Sequence, residues 1–156
     1  MGIFNAPRKY PEVFKAFWDD FNFYDGRDAW LKSIEKIPEK AVDLYAVHCL
    51  HAEVHNGGFG QYFFNSTGTS APEAVRGFEA IGMPEVADIV REAMAELGES
   101  YPTETTDARR DRLETLDDEF DFEDYDERFY ELADSENLFF RKLPKFVPYA
   151  DRYASF

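Results

Sequence analysis

The chain has 156 residues, of which 32 are acidic and 17 basic, for a formal net charge of −15. Direct binding to nucleic acid needs clustered Lys and Arg, and an anionic membrane surface repels so negative a protein, so both are disfavoured; a basic protein face, a polyamine or a metal ion fits better. The hydrophobic content of 44% and aromatic content of 17% mark a globular chain, and the length suits one domain that buries about 70% of its unfolded surface.

Residues 11–24 read as a first helix opening at Pro11, with Val13, Phe14, Phe17, Trp18 and Phe21 on its apolar side and Asp25-Gly26 as its stop. Asp28 is placed to cap a short second helix carrying Trp30, Leu31 and Ile34, which ends before Pro38. The third helix, 38–56, is the predicted centre. Ala41, Leu44, Tyr45, His48, Ala52 and His55 fall on one stripe, and Val47, Leu50 and Val54 fill much of the back, so this helix is buried among others.

Asn56-Gly57-Gly58 ends it, with glycine in a left-handed cap. A short helix through Phe64 follows, then a loop over 65–70. Ser70 is the predicted cap of a helix with Pro72 and Glu73 in its first turn and Gly82 as its end. Pro84 starts another helix, stopped by Gly98. Thr106 is the predicted cap of a charged helix over 107–117, and a helix over 120–134 continues into 135–143. Pro144 and Pro148 break the tail. No segment shows sustained strand alternation. The expected fold is all-α, a single multi-helix domain over 1–156 around the central helix and the Asn-Gly-Gly corner.

Cys49 is the sole cysteine, which excludes an intrachain disulfide. No apolar run approaches the ~18 residues of a membrane span, and residues 1–6 carry no signal-like apolar stretch. A soluble cytoplasmic protein is the expectation.

Catalytic signatures are scarce. His48, His51 and His55 share a face of the third helix, and His51 with His55 has the spacing of a zinc-binding pair. Glu53, however, points about 160° from His51 at 100° per residue and does not complete a metalloprotease pattern. Histidines hydrogen-bonded at a helix interface are the competing reading. Glu53, Asn56, Gln61 and Asn65 are read as polar braces for backbone groups that the corner leaves unpaired. No nucleophile elbow, P-loop or dinucleotide motif occurs, so neither a catalytic residue nor a cofactor is predicted.

The densest feature comes later. From Asp117 to Glu136 there are eleven acidic residues and one base, Arg128, a net of −10. Phe122, Tyr125, Phe129, Leu132 and Ala133 form one helical stripe. Glu123, Asp124, Glu127, Glu131 and Asp134 occupy the opposite face, about one charge per 3.3 Å at the ~1.5 Å rise of a helix. One nucleic-acid strand has nearly the same spacing, about 3.4 Å. Such a face serves either as a solvated, solubilising surface or as a partner-binding array. The candidate partner-binding residues are Asp117, Asp118, Glu119, Asp121, Glu123, Asp124, Glu127, Glu131 and Asp134.

The run Glu53-Val-His-Asn-Gly-Gly-Phe-Gly-Gln-Tyr-Phe-Phe-Asn65 resembles the hallmark of the DMP19-like family. Glu53, Asn56, Gly57, Gly58, Phe59, Gln61, Tyr62, Phe63 and Asn65 match it, and the family domain would cover about 30–145. The resemblance implies an all-helical fold without established catalytic activity. It also implies a homodimeric DNA mimic whose acidic surface occupies the DNA site of a helix-turn-helix transcription factor. An immunity or inhibitor protein against a basic nuclease or toxin is the alternative, and a metal or enzyme module on the His48/His51/His55 face is a third.

Overall fold

A computed structural model describes residues 8–134 and 145–155. In chain order the helices are α1 (Tyr10–Lys15), α2 (Arg27–Ile34), α3 (Glu39–Phe64), α4 (Ala71–Ala80), α5 (Pro84–Ala95), α6 (Thr106–Glu114), α7 (Glu123–Ala133) and α8 (Val147–Ala154). Single 3-10 turns occupy Trp18–Asp20 and Ser66–Ser70. Among the described residues there is no strand, as an all-α reading requires.

Helix α3 is the hub, touching α1, α4, α6, α7 and α8. Leu44, Val47, Leu50 and Val54 are fully buried along it. The expected stripe needs one correction. His51 takes a core place, whereas Ala52 and His55 lie exposed, because the last turns of this half are covered on one side only. Helix α4 crosses α3 closely, since a Cβ on Gly77 would lie 2.6 Å from the Asp43 carbonyl oxygen. Asp43 then holds Arg76 Nε at 2.6 Å. Glu73 of α4 pairs in a two-pronged fashion with Arg27 and accepts from Trp30 Nε1 at 2.7 Å, tying α2 to the same core.

Several boundaries differ from the sequence expectation. The helix expected over 11–24 stops at Lys15, and Phe21 is extended. Extended backbone puts alternate residues on one face. Phe21 thereby stacks on Tyr45 at 3.9 Å and Phe23 on Trp30 at 4.8 Å, contacts a helix would point apart. Gly26, not Asp28, precedes α2 as its cap residue. Ser70 stands at the N-cap position of α4 as expected, but its Oγ donates to the Thr67 carbonyl and accepts from no helix amide. Thr105, not Thr106, caps α6, its Oγ1 accepting from Ala108 N at 3.0 Å. Pro148 lies in the first turn of α8, where a missing N–H costs nothing, instead of breaking the tail. The expected continuation over 135–143, Pro144 and Glu136 lie outside the described residues.

The corner is a break inside α3. Gly57 has φ −154° and Gly58 φ +79°, ψ 179°, after which the helix resumes at once. The positive φ is thus at Gly58 and in an extended region open essentially to glycine alone, not the left-handed cap expected. A Cβ there would also collide with the Asp126 carboxylate. At the far end, α6 supplies the missing cap. Arg109 is fully buried, and burial lowers its pKa. Its Nε donates to the Phe63 carbonyl at 3.1 Å and its Nη2 to that of Asn65 at 2.9 Å. Arg110 Nε adds a bond to the Phe64 carbonyl at 2.9 Å. These are the carbonyls a helix end leaves unpaired.

Gly58→Ala should destabilise the protein by about 3 kcal/mol, combining a forbidden conformation with the collision. Gly60→Ala, whose Cβ would meet only Phe122 Cδ2 at 3.6 Å, should be neutral or mildly stabilising. Thermal unfolding of the two variants checks the contrast.

Candidate functional site

The acidic segment is built in three steps. After α6, Asp117 Oδ1 accepts from Glu119 N at 2.9 Å and Asp121 Oδ1 from Glu123 N at 3.0 Å. Each bond folds the backbone onto an aspartate two residues back, the usual Asx turn, and the second leads the chain into α7. The aromatic stripe then docks α7. Phe122 lies 5.4 Å from Phe63, and Phe129 packs edge-on to Phe59 at 5.6 Å and Phe78 at 6.0 Å. Phe129 and Ala133 are fully buried, Phe122 is buried, and Tyr125 and Leu132 are half-buried.

A second stripe, polar and spaced by four, was not anticipated. Asp126, Tyr130 and Asp134 face α3. Asp126 Oδ1 accepts from Phe59 N at 2.7 Å, the first amide after the glycine break. Tyr130 Oη donates to the Val54 carbonyl at 2.7 Å, before the break. Asp134 accepts from His51 Nε2 at 2.7 Å and lies 3.3 Å from His55 Nε2. The helix therefore straddles the corner and satisfies backbone groups on both sides of it. The signal in the sequence is the i, i+4, i+8 spacing, which a search for apolar periodicity passes over.

This placement corrects one expectation. Asp134 does not share the outward face of Glu123, Asp124, Glu127 and Glu131; it turns inward onto the histidines just past the end of α7. Those four remain exposed, as do Asp117, Asp118, Glu119 and Asp121. The four helical carboxylates alone span eight steps, about 12 Å of helix.

Helix α5 packs beside α7 and adds acids that the sequence reading left out. Asp88 and Glu92 are exposed and Glu96 is half-buried, again at a spacing of four. Arg128 Nη1 lies 2.7 Å from Glu92 and 3.9 Å from Asp124. Tyr125 Oη donates to Glu96, and that bond with burial pushes the phenol up to about 12. The acidic face is thus two helices wide, with Arg128 at the seam beside Glu92 and Arg91 paired with Asp88 at 2.8 Å.

The three histidines divide between two partners. His48 Nδ1 meets Tyr10 Oη at 3.1 Å, and burial lowers its pKa. His51 and His55 share Asp134. Among the described residues no group of three metal-ligating side chains converges.

The corner residues form a brace centred on Glu53. Its carboxylate accepts from Gln61 Nε2 at 2.8 Å, Asn65 Nδ2 at 3.0 Å and Thr67 Oγ1 at 3.2 Å, so the brace joins side chains across the break instead of the backbone groups expected of it. Asn56 stands outside this set and is exposed. Phe59, Tyr62 and Phe63 are fully buried beneath it. A family model described as DMP19-like protein matches residues 35–150, which include the whole corner, α4 to α7 and the start of α8.

The chain belongs to the DMP19-like family. The matched span starts and ends about five residues later than the resemblance suggested. No curated protein and no solved structure matches the chain significantly. No helix among the described residues is long and apolar enough to cross a membrane.

Asp126 carries a test within this DMP19-like domain. Burial is the largest influence on its carboxyl and raises its pKa above 3.8; Asp121 and Glu123 push the same way, and the Phe59 amide opposes them. A raised folded pKa means that the stabilising contribution is complete below the unfolded value and is lost as pH rises through the folded one. Asp126→Asn, which keeps an acceptor for Phe59 N, should remove that pH-dependent loss and change stability at neutral pH little. Asp126→Ala leaves the amide unpaired and should cost about 1–2 kcal/mol. Denaturant unfolding from acid to neutral pH measures both.

Proposed function

We propose that this protein is an acidic interaction protein that acts as a DNA mimic, occupying the DNA-binding face of a basic protein such as a helix-turn-helix transcription factor. The observation that carries this reading is the fixed carboxylate ridge. Glu123, Asp124, Glu127 and Glu131 are exposed on a helix that aromatic contacts and three polar bonds hold against the core. A solubilising surface does not need such anchoring, whereas imitation of regularly spaced phosphates does. The flanking Glu92 and Asp88 widen the ridge within one chain. The family description, DMP19-like protein, points the same way. The reading includes no catalytic step. It includes a homodimer, in which a two-fold axis would bring a second ridge alongside the first.

Electrostatic capture predicts a steep salt dependence, because the screening length falls from about 10 Å at 0.1 M to about 3 Å at 1 M. Affinity capture from native lysate should retain a basic DNA-binding protein at low salt and release it at high salt. Reversing Glu123, Asp124, Glu127 and Glu131 to Lys should abolish capture while leaving the helical circular-dichroism spectrum unchanged. Undiminished recovery of the same partner by that variant overturns the proposal. Capture of a basic nuclease in place of a regulator would assign the same ridge to inhibition. Sedimentation of the purified protein reports the dimer directly.

A further inference from the structure

A cleft of about 790 Å3 opens on the side of α3 bearing Glu53. Its walls include Trp18, Tyr24 and Tyr45, and its polar lining includes Asp19, Glu53 and Asn56. The volume lies in the range typical of small-ligand sites, ~300–1,000 Å3. Two of its aromatics are large side chains left in solvent: Trp18 is 51% and Tyr24 79% exposed. Among the described residues no Lys or Arg lines it. Burial lowers the His48 pKa, which favours its neutral form, and pushes the Cys49 thiol up to about 12. The Glu53 carboxylate is held in place by three neutral donors, so its charge is oriented without being neutralised by them.

We propose that this cleft binds a free small organic cation with an apolar body, of the alkylguanidinium class. Aromatic faces attract a cation through their electron-rich surface, and the planar guanidinium both stacks on rings and donates to carboxylate and amide oxygens. Trp18 and Tyr24, the two exposed aromatics, supply the rings, and Tyr45 with Phe21 stacked on it forms the floor. Asp19, Glu53 and the Asn56 amide oxygen supply the acceptors. This site is separate from the carboxylate ridge and does not depend on what the ridge binds.

The test uses the full-length protein and n-butylguanidinium, with neutral n-butylurea and anionic valerate as controls. Calorimetry gives the affinity, and quenching of Trp18 fluorescence gives the location, because Trp30 is fully buried. The guanidinium should bind with one-to-one stoichiometry, and the urea and valerate should not. Trp18→Ala should weaken binding about tenfold and Asp19→Asn about threefold; both positions are exposed, so both variants should fold. The variant with Glu123 and Glu127 reversed to Lys should bind the cation unchanged. Equal binding of the urea, equal loss in the ridge variant, or binding only by an arginine-containing peptide would each overturn the assignment.

Discussion

A helix broken in its middle leaves amides and carbonyls without partners, and much of this fold answers that one defect. Gly57 and Gly58 interrupt α3 while both halves stay buried. Inside the helix, Glu53 reaches over the break to Gln61, Asn65 and Thr67. From outside, Asp126 takes the first amide beyond it and Tyr130 the Val54 carbonyl before it. Arg109 and Arg110 close the far end. Each bond is ordinary in strength, about 1 kcal/mol net, but leaving the Phe59 amide or the Val54 carbonyl unpaired costs more. The corner and the acidic helix are therefore one structural unit.

That coupling explains how so acidic a segment stays folded. Burial chiefly, and after it the like charges of Asp121 and Glu123, raise the pKa of Asp126, so crowding of carboxylates around α7 opposes its ionisation. Phe122, Phe129 and Ala133 offset the repulsion by burial, and Arg128 relieves it at the seam with α5. The exposed carboxylates of Glu123, Asp124, Glu127 and Glu131 are then held at fixed places along about 12 Å of helix. Rigid display distinguishes this surface from an acidic tail, which would carry the same charge without fixed positions.

The fold class and the central helix were legible because burial writes itself into apolar periodicity. The corner was legible because Asn-Gly-Gly has few other uses, and α7 because Phe122, Phe129 and Ala133 repeat at helical spacing. The polar stripe Asp126–Tyr130–Asp134 was not, since in a run of eleven acids nothing local tells an inward carboxylate from an outward one. Asp134 was misplaced for that reason. Arg109 was missed because its partners are carbonyls more than forty residues upstream, and the aromatic cleft because Phe21 and Phe23 leave the helical pattern to stack on the core.

Amide hydrogen exchange along α7 tests most directly whether the acidic ridge is a fixed array held by the corner. The amides of Phe129 to Ala133 should be protected to a degree comparable with those of Leu44 to Leu50 in α3, and Asp126→Ala should lower protection in α7 first. Fast exchange throughout α7 beside a protected α3 would contradict the structure's central claim, because the carboxylates would then sit on a mobile segment with no fixed spacing to present.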